Sequence, residues 1–317
     1  MSYLLALDQG TTSSRAIIFN ENGKVHATAQ RETHIKTPHS GWVEQDAQEI
    51  WTTQIAVVQQ AMASARILAK DIKALGLTNQ RETTVVWDKR TGTPLAPAII
   101  WQDRRAAEWC NSLLQNNKMN KIHKKTGLRI DPYFSAGKLV WLLQNIDGLR
   151  ELAQQGHVAF GTIDSWLIWN LTQGSQHVIE VSNASRTMLM NLETQQWDTE
   201  LLELFDIPRS VLPTIIRSDE YVANTAPGLL GAEIPIAGVM GDQQSALFGQ
   251  SCFEIGTAKN TYGTACFMSF NPGEKPHYSH NQLLTTLAWN CQNQTTYALE
   301  GSVFMAGAIV QWLRDGL

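Results

Sequence analysis

Tyr3-Leu4-Leu5-Ala6-Leu7-Asp8-Gln9-Gly10-Thr11-Thr12-Ser13-Ser14-Arg15-Ala16-Ile17-Ile18-Phe19 is the stretch from which the fold is read. Residues 3–7 are an apolar run that reads as a short buried strand ending in Asp8. A loop dense in Gly, Thr and Ser follows, and residues 15–19 resume the strand pattern. After the turn Asn20-Glu21-Asn22-Gly23, residues 25–29 read as a third strand. Consecutive strands joined by tight turns predict an antiparallel meander. The period then changes. Ala47, Ile50, Trp51, Ile55, Val58, Met62 and Ala65 recur at helical spacing, and Asp46 with Glu49 predicts a capping box at the start of that helix. Further on, 74–78, 84–87 and 98–101 read as strands, and 104–114, 135–144 and 164–171 as helices. Residues 234–238 form another apolar strand, which runs into Gly241-Asp242-Gln243-Gln244 and a helical segment at 245–248. Strands first, then helices alternating with strands, predict an α/β layer architecture.

Past Gly249 the opening pattern recurs. Residues 260–262 and 266–270 read as strands around a turn at Gly263, with further strands at 284–289 and 296–299 and a helix at 304–313. A domain boundary is expected near 245–255, dividing the chain into units 1–250 and 251–317.

Composition narrows the function classes. The 317 residues are 43% hydrophobic and 17% charged, with a net charge of -4 and no basic stretch. Nucleic-acid binding therefore has no electrostatic footprint. No apolar run approaches the ~18 residues of a membrane span. The first residues lack the basic region, apolar stretch and cleavage site of a signal peptide. Cys110, Cys252, Cys266 and Cys291 form no Cys-x-x-Cys pair, so a reduced, cytoplasmic setting is expected. The 11 Trp residues read first as core packing.

Three segments carry chemistry. In Asp8-Gln9-Gly10-Thr11-Thr12-Ser13 with Arg15, backbone N–H groups and hydroxyls suit phosphate oxygens, and Asp8 at a strand end suits Mg²⁺. An ordinary hairpin turn explains the same residues, and the Walker A pattern is absent. In Thr78-Asn79-Gln80-Arg81-Glu82-Thr83, a guanidinium and a carboxylate side by side suit a polyhydroxyl ligand, whose hydroxyls both donate and accept. A surface ion pair is the plain alternative. Asp242, between a strand and a helix, fits a general base or metal ligand, or simply a helix N-cap.

Taken together, these segments resemble the FGGY carbohydrate kinase family, within the actin-like ATPase (ribonuclease H-like) fold group, and among its members those acting on glycerol. The resemblance rests on residues 6–15 and on Gly-Trp-Val-Glu-Gln-Asp at 41–46, Thr-Asn-Gln-Arg-Glu-Thr-Thr at 78–84 and Ile-Asp-Pro-Tyr-Phe-Ser at 130–135. It continues through Asn-Ala-Ser-Arg-Thr-Met-Leu at 183–189, Gly-Asp-Gln-Gln at 241–244, Ala-Lys-Asn-Thr-Tyr-Gly-Thr at 258–264 and Ala-Gly-Ala-Ile-Val-Gln-Trp-Leu-Arg-Asp at 306–315.

The resemblance implies ATP-dependent phosphorylation of glycerol to sn-glycerol 3-phosphate, with ADP released and Mg²⁺ required. It implies a polyol site of Arg81, Glu82, Tyr133, Asp242 and Gln243, with Asp242 as the base. Thr11, Thr12, Ser13 and Arg15 would meet phosphates, and Thr264, Gly307 and Gln311 the nucleotide. Asp8 and Asp242 would flank Mg²⁺. A homo-oligomer without nucleic-acid or membrane partners is expected. The family is longer than this chain, so an N-terminal piece holding part of the nucleotide domain is expected, with little activity alone. Ala265 stands where the family usually has Gly. A related kinase acting on a sugar or longer polyol, and an actin-like nucleotide switch, are the competing readings.

Overall fold

The structure is a computed structural model describing residues 2–263 and 265–316; the side chains of Ala308 and Gln311 lie outside the described set. Its largest sheet has six strands in the order Ala223–Asn224, Pro235–Gly241, Ile72–Asn79, Tyr3–Gln9, Ser13–Asn20, Val25–Glu32. The opening meander is present as expected: Tyr3–Gln9 pairs antiparallel with Ser13–Asn20, which pairs antiparallel with Val25–Glu32. Ile72–Asn79 then lies parallel to Tyr3–Gln9, and Pro235–Gly241 parallel to Ile72–Asn79. Along the first strand residues 3, 5, 7 and 9 are buried and 4, 6 and 8 are not. That alternation marks a sheet covered on one face. Leu5, Leu7, Leu75, Leu77, Ile236 and Val239 form this covered face, packed with Ile50, Val57, Val58 and Ala61 of the helix Ala47–Ala65 and with Trp166 and Leu167 of Ile163–Leu171.

The capping box forms by half. Asp46 accepts hydrogen bonds from the N–H groups of Gln48 and Glu49, but the Glu49 carboxylate turns to the His34 ring instead of back to the cap. A second core lies under the helices Ala107–Gln115, Met119–Thr126, Ser135–Asn145, Leu149–Gln154 and Thr199–Phe205. Met119–Thr126, Leu149–Gln154 and Thr199–Phe205 carried no expected element. Among the described residues no helix is long and apolar enough to cross a membrane.

The helix Asp242–Gly249 and the turns after it occupy the stretch where a boundary was expected. Beyond them lies a four-stranded antiparallel sheet in the order Ala258–Tyr262, Cys266–Phe270, Gln294–Val303, Leu284–Cys291. This sheet shares its packing with the first unit: Leu287 and Tyr297 belong to the second core. Gly127 accepts from the Thr285 N–H (3.0 Å), the Ser185 and Thr286 hydroxyls lie 2.7 Å apart, and the Asn290 N–H donates to Ser218 Oγ (3.1 Å).

Candidate active site

The parallel strands place the chemistry. In register, Gln9, Asn79 and Gly241 stand on one rung of the sheet, so the chain emerging from each strand reaches the same edge. Such carboxyl-terminal edges of parallel strands are where α/β proteins build sites. Above this edge opens a cleft of about 400 Å³, lined by Thr11, Thr12, Gln80, Arg81, Glu82, Trp101, Tyr133, Asp242 and Gln243, and by Thr261, Gly263, Ala265 and Phe267 from the second sheet.

The loop 9–13 is a true hairpin turn, closed by the Gly10 N–H donating to the Ser13 carbonyl (2.9 Å). Its apex is pinned by outside partners. Gln45 donates to the Thr11 carbonyl (2.7 Å) and the Trp101 indole N–H to the Thr11 hydroxyl (2.8 Å). The Thr11 hydroxyl keeps its own proton to offer into the cleft. Thr11 and Thr12 stand on the cleft wall; Asp8, Ser13 and Arg15 do not. Arg15 instead lies 3.5 Å from Asp8 and donates to Gln30. Burial raises the Asp8 carboxyl, with Arg15 pulling it back down.

Arg81 and Glu82, expected as an adjacent donor and acceptor, are both buried and take different partners. Arg81 holds Glu300 through two hydrogen bonds (2.6 and 3.1 Å), and its Nε lies 3.4 Å from Asp242. Glu82 accepts from Arg186 Nε at 2.6 Å. The surface ion pair is thereby excluded. Glu82 has a φ of 60°, a left-handed conformation that non-glycine residues adopt only when surroundings enforce it. Here the enforcement is visible: Ser135 and the fully buried Lys138 both donate to the Glu82 carbonyl, at 3.1 Å each. Lys138 also donates to the Tyr133 carbonyl (2.6 Å), fixing the Tyr133 ring on the opposite wall. Desolvation lowers the Lys138 ammonium to about 8, against the pull of Glu82.

Asp242 is not an N-cap. Gly241 occupies that position and Asp242 opens the helix Asp242–Gly249, its carboxylate accepting from the Gln243 N–H at 2.7 Å. Desolvation pushes the carboxyl up to about 6, with Arg81 opposing and Glu82 adding to the rise. A side chain at that value is ionised near neutrality yet basic enough to take a proton. Gln243 is held by Lys259, which also donates to Thr261 (2.9 Å) and which burial lowers to about 8.

The second sheet supplies the other wall. Its hairpin 258–270 turns at Gly263, whose carbonyl accepts from the Gly307 N–H at 2.9 Å. Gly307 thus sits beside this turn at the start of the helix Gly307–Gly316, and Gln311 follows on the same helix. Thr264 lies outside the described residues. Ala265 is buried on the cleft wall.

The residues not anticipated are Trp101, Phe267, Lys259, Arg186 and Glu300. Trp101 stands edge-on to both Tyr133 and Phe267, and Phe267 lies beneath the Arg81 guanidinium, 5.8 Å from its ring centre. The cleft therefore pairs aromatic walls with a few converging polar groups, the usual make-up of a small-molecule site. Among the described residues no three His, Cys, Asp or Glu side chains gather closely enough to hold a metal. Mg²⁺ needs only one or two carboxylates, its remaining positions going to water and phosphate. Asp242 stands on the cleft wall and suits that requirement, whereas Asp8 lies off the wall with Arg15 3.5 Å away.

Residues 3–249 match the N-terminal domain of the FGGY family of carbohydrate kinases. The chain belongs to this family. Among curated relatives, a glycerol kinase of Acinetobacter baylyi is 78% identical over 317 residues, covering 100% of this chain and 64% of the relative. A glycerol kinase of Deinococcus radiodurans is 56% identical over 315 residues, covering 99% and 63%. The chain thus spans under two thirds of the length of these FGGY relatives. A Plasmodium falciparum glycerol kinase solved with ADP superposes with a TM-score of 0.94 at 37% identity, over 100% of this chain and 64% of that one. A ligand-bound xylulose kinase from Lactobacillus acidophilus, 21% identical with a TM-score of 0.87, shares the fold over 99% of this chain and 62% of its own. The fold is the actin-like α/β fold of FGGY kinases.

Proposed function

We propose that the chain carries the polyol- and phosphate-handling part of an ATP-dependent kinase that converts glycerol to sn-glycerol 3-phosphate. The observation carrying this reading is the convergence of Arg81, Glu82, Tyr133, Asp242 and Gln243 on one cleft beside Thr11 and Thr12. The identity to glycerol kinases over the whole chain supports it. Arg81 donates to a glycerol hydroxyl, Glu82 accepts from one, and Trp101 and Phe267 offer aromatic faces to the carbon chain. Asp242 takes the proton of the hydroxyl whose oxygen attacks the γ-phosphorus in line. The new O–P bond forms as the bond to the leaving ADP breaks, and Thr11 and Thr12 donate to the phosphate oxygens as charge spreads over them. Ser13 and Arg15 follow next in the chain, and a phosphate role for them rests on the resemblance, since neither lines the cleft. Asp8 and Asp242 would hold Mg²⁺, which would neutralise phosphate charge. Thr264, Gly307 and Gln311 contribute the nucleotide contacts of the unit 251–317, and 1–250 holds the polyol. The setting is cytoplasmic, a reading that rests on the cysteine spacing, and the full enzyme is a homo-oligomer, which rests on the resemblance alone.

The test is glycerol-dependent ADP release by the full-length enzyme with saturating Mg-ATP. Asp242→Asn keeps the shape of the side chain and removes the proton acceptor, so release falls about 10²–10⁴-fold. Turnover within about threefold of the parent, against that scale, dismisses Asp242 as the base. A panel of sugars and longer polyols, each turned over worse than glycerol, fixes the substrate.

A further inference from the structure

The segment 183–189 and the strand Gln294–Val303 contribute charges that no role above uses. Arg186 is fully buried and Glu300 is 1% exposed. Neither lines the cleft, yet each touches the residues that do. Arg186 Nε donates to Glu82 at 2.6 Å, and its Nη2 lies 2.9 Å from Glu300 Oε1 without the alignment of a hydrogen bond. Glu300 accepts from Arg81 through both carboxylate oxygens. The result is a row of alternating charges, Glu82–Arg186–Glu300–Arg81–Asp242, that begins and ends on the cleft and runs behind it. The Arg186 guanidinium packs against the rings of Tyr133 and Phe134, 5.5 and 5.3 Å from their centres, which restrains it from swinging to another partner.

We propose that Arg186 and Glu300 are positioning residues of the polyol site, holding Glu82 and Arg81 in the orientations that read hydroxyls. This rests on the polyol reading of the cleft. The argument is one of alternatives. Asp242 stands 3.4 Å from Arg81 Nε, close enough to draw the guanidinium over. Glu300, binding both terminal nitrogens of Arg81 from behind, fixes the plane of the guanidinium and keeps it from swinging onto Asp242. Arg186 does the converse for Glu82, whose carboxylate would otherwise sit unpaired in a desolvated place. Planar, forked guanidinium geometry is what allows one cation to face two carboxylates, and a point-charge ammonium does not reproduce it. Glu300 comes from the second sheet, so the polyol contacts made by the first unit are set in part by the second.

The closing experiment measures binding of glycerol and of 1,2-propanediol, which lacks one hydroxyl, by calorimetry. It uses the parent chain, Glu300→Gln and Arg186→Lys, with thermal unfolding of each followed alongside. A pair that only staples the two units lowers the unfolding temperature and leaves the preference for glycerol intact. A positioning pair makes glycerol bind about 10-fold weaker or worse, the scale of one lost charged hydrogen bond, while 1,2-propanediol changes about twofold or less, and the preference collapses. Should Glu300→Gln not fold, Glu300→Asp retains the buried charge but retracts it, and the same loss of preference is expected. Unchanged preference in the folded variants overturns the proposal and leaves the polyol site standing. A parent chain that binds neither ligand overturns the polyol reading, and this proposal with it.

Discussion

At Gly241 a Cβ would lie 2.8 Å from Arg81 Cδ, 2.9 Å from its Cγ and 2.9 Å from Gln244 Oε1. Arg81 cannot yield by rotating its tip, because Glu300 holds both ends of the fork. Gly241→Ala therefore displaces the Arg81 stem within a pinned site, an overpacking cost of about 1–3 kcal/mol that falls on ligand binding. Glycerol affinity by calorimetry is expected to drop about 10-fold on that scale, with the helix Asp242–Gly249 intact by circular dichroism. The sequence offers Gly241 only as the residue before an Asp. Arg81, Glu82 and Asp242 were legible because each follows an apolar run that reads as a strand, and strand ends are where sites sit. Arg186 and Glu300 were not. An Arg after Asn-Ala-Ser and a Glu just past the short run 296–299 look like solvent-facing charges until tertiary structure closes over them. The loop 9–13 was legible as a turn but not in its division of labour. Thr11 and Thr12 reach the cleft wall while Ser13 and Arg15 face elsewhere, because strand pairing resumes at Ser13 and fixes which way each side chain points.

Elements that announce themselves by turn residues or by period were readable, and their ends were not. The hairpins flanking Gly10 and Gly263 stand where Gly and Thr break two apolar runs. The helix Met119–Thr126 has mostly polar residues and only Ile122 and Thr126 buried, too few for a recognisable stripe. It earns its place through its end. Gly127 takes a φ of 71° and its N–H donates to the His123 carbonyl, closing the helix. A Cβ there would lie 2.2 Å from the Thr285 carbonyl oxygen and 2.9 Å from Thr285 Cβ. Gly127→Ala carries two penalties, left-handed strain and a collision of the new methyl with the Thr285 backbone. We expect a loss of roughly 2–4 kcal/mol in unfolding free energy, read as a lower denaturant midpoint. A midpoint within error of the parent's would mean the strand Leu284–Cys291 moves aside at no cost.

Over the whole molecule the buried carboxyls set a pH dependence. Burial raises Glu180 to about 7 from 4.5 and Asp164 to about 6 from 3.8, against the donors around them. The native state then binds these protons more tightly than the unfolded chain, so their contribution is fully present below the ordinary carboxylate values. It is lost as pH rises through 6 and 7. Glu300 runs the other way. Burial would raise it, but Arg186 and Arg81 hold it at about 2, so its contribution is lost only as pH falls from its ordinary value toward 2. Stability is expected to be greatest in mild acid and to decline toward pH 8. In Glu180→Gln that decline between pH 5 and 8 is smaller by roughly 2–3 kcal/mol, measured by denaturant unfolding at each pH; equal slopes for parent and variant would remove Glu180 as a cause. The same scale shows what the strand Leu284–Cys291 does. It is stitched to the first unit through Thr285, Thr286 and Asn290 and buries Leu287 in the helical core, whereas the connection 250–257 holds exposed Phe253 and Ile255. A protease that nicks that connection would find two peptides still clasped as one particle, for the covalent link between the units is the least of what joins them.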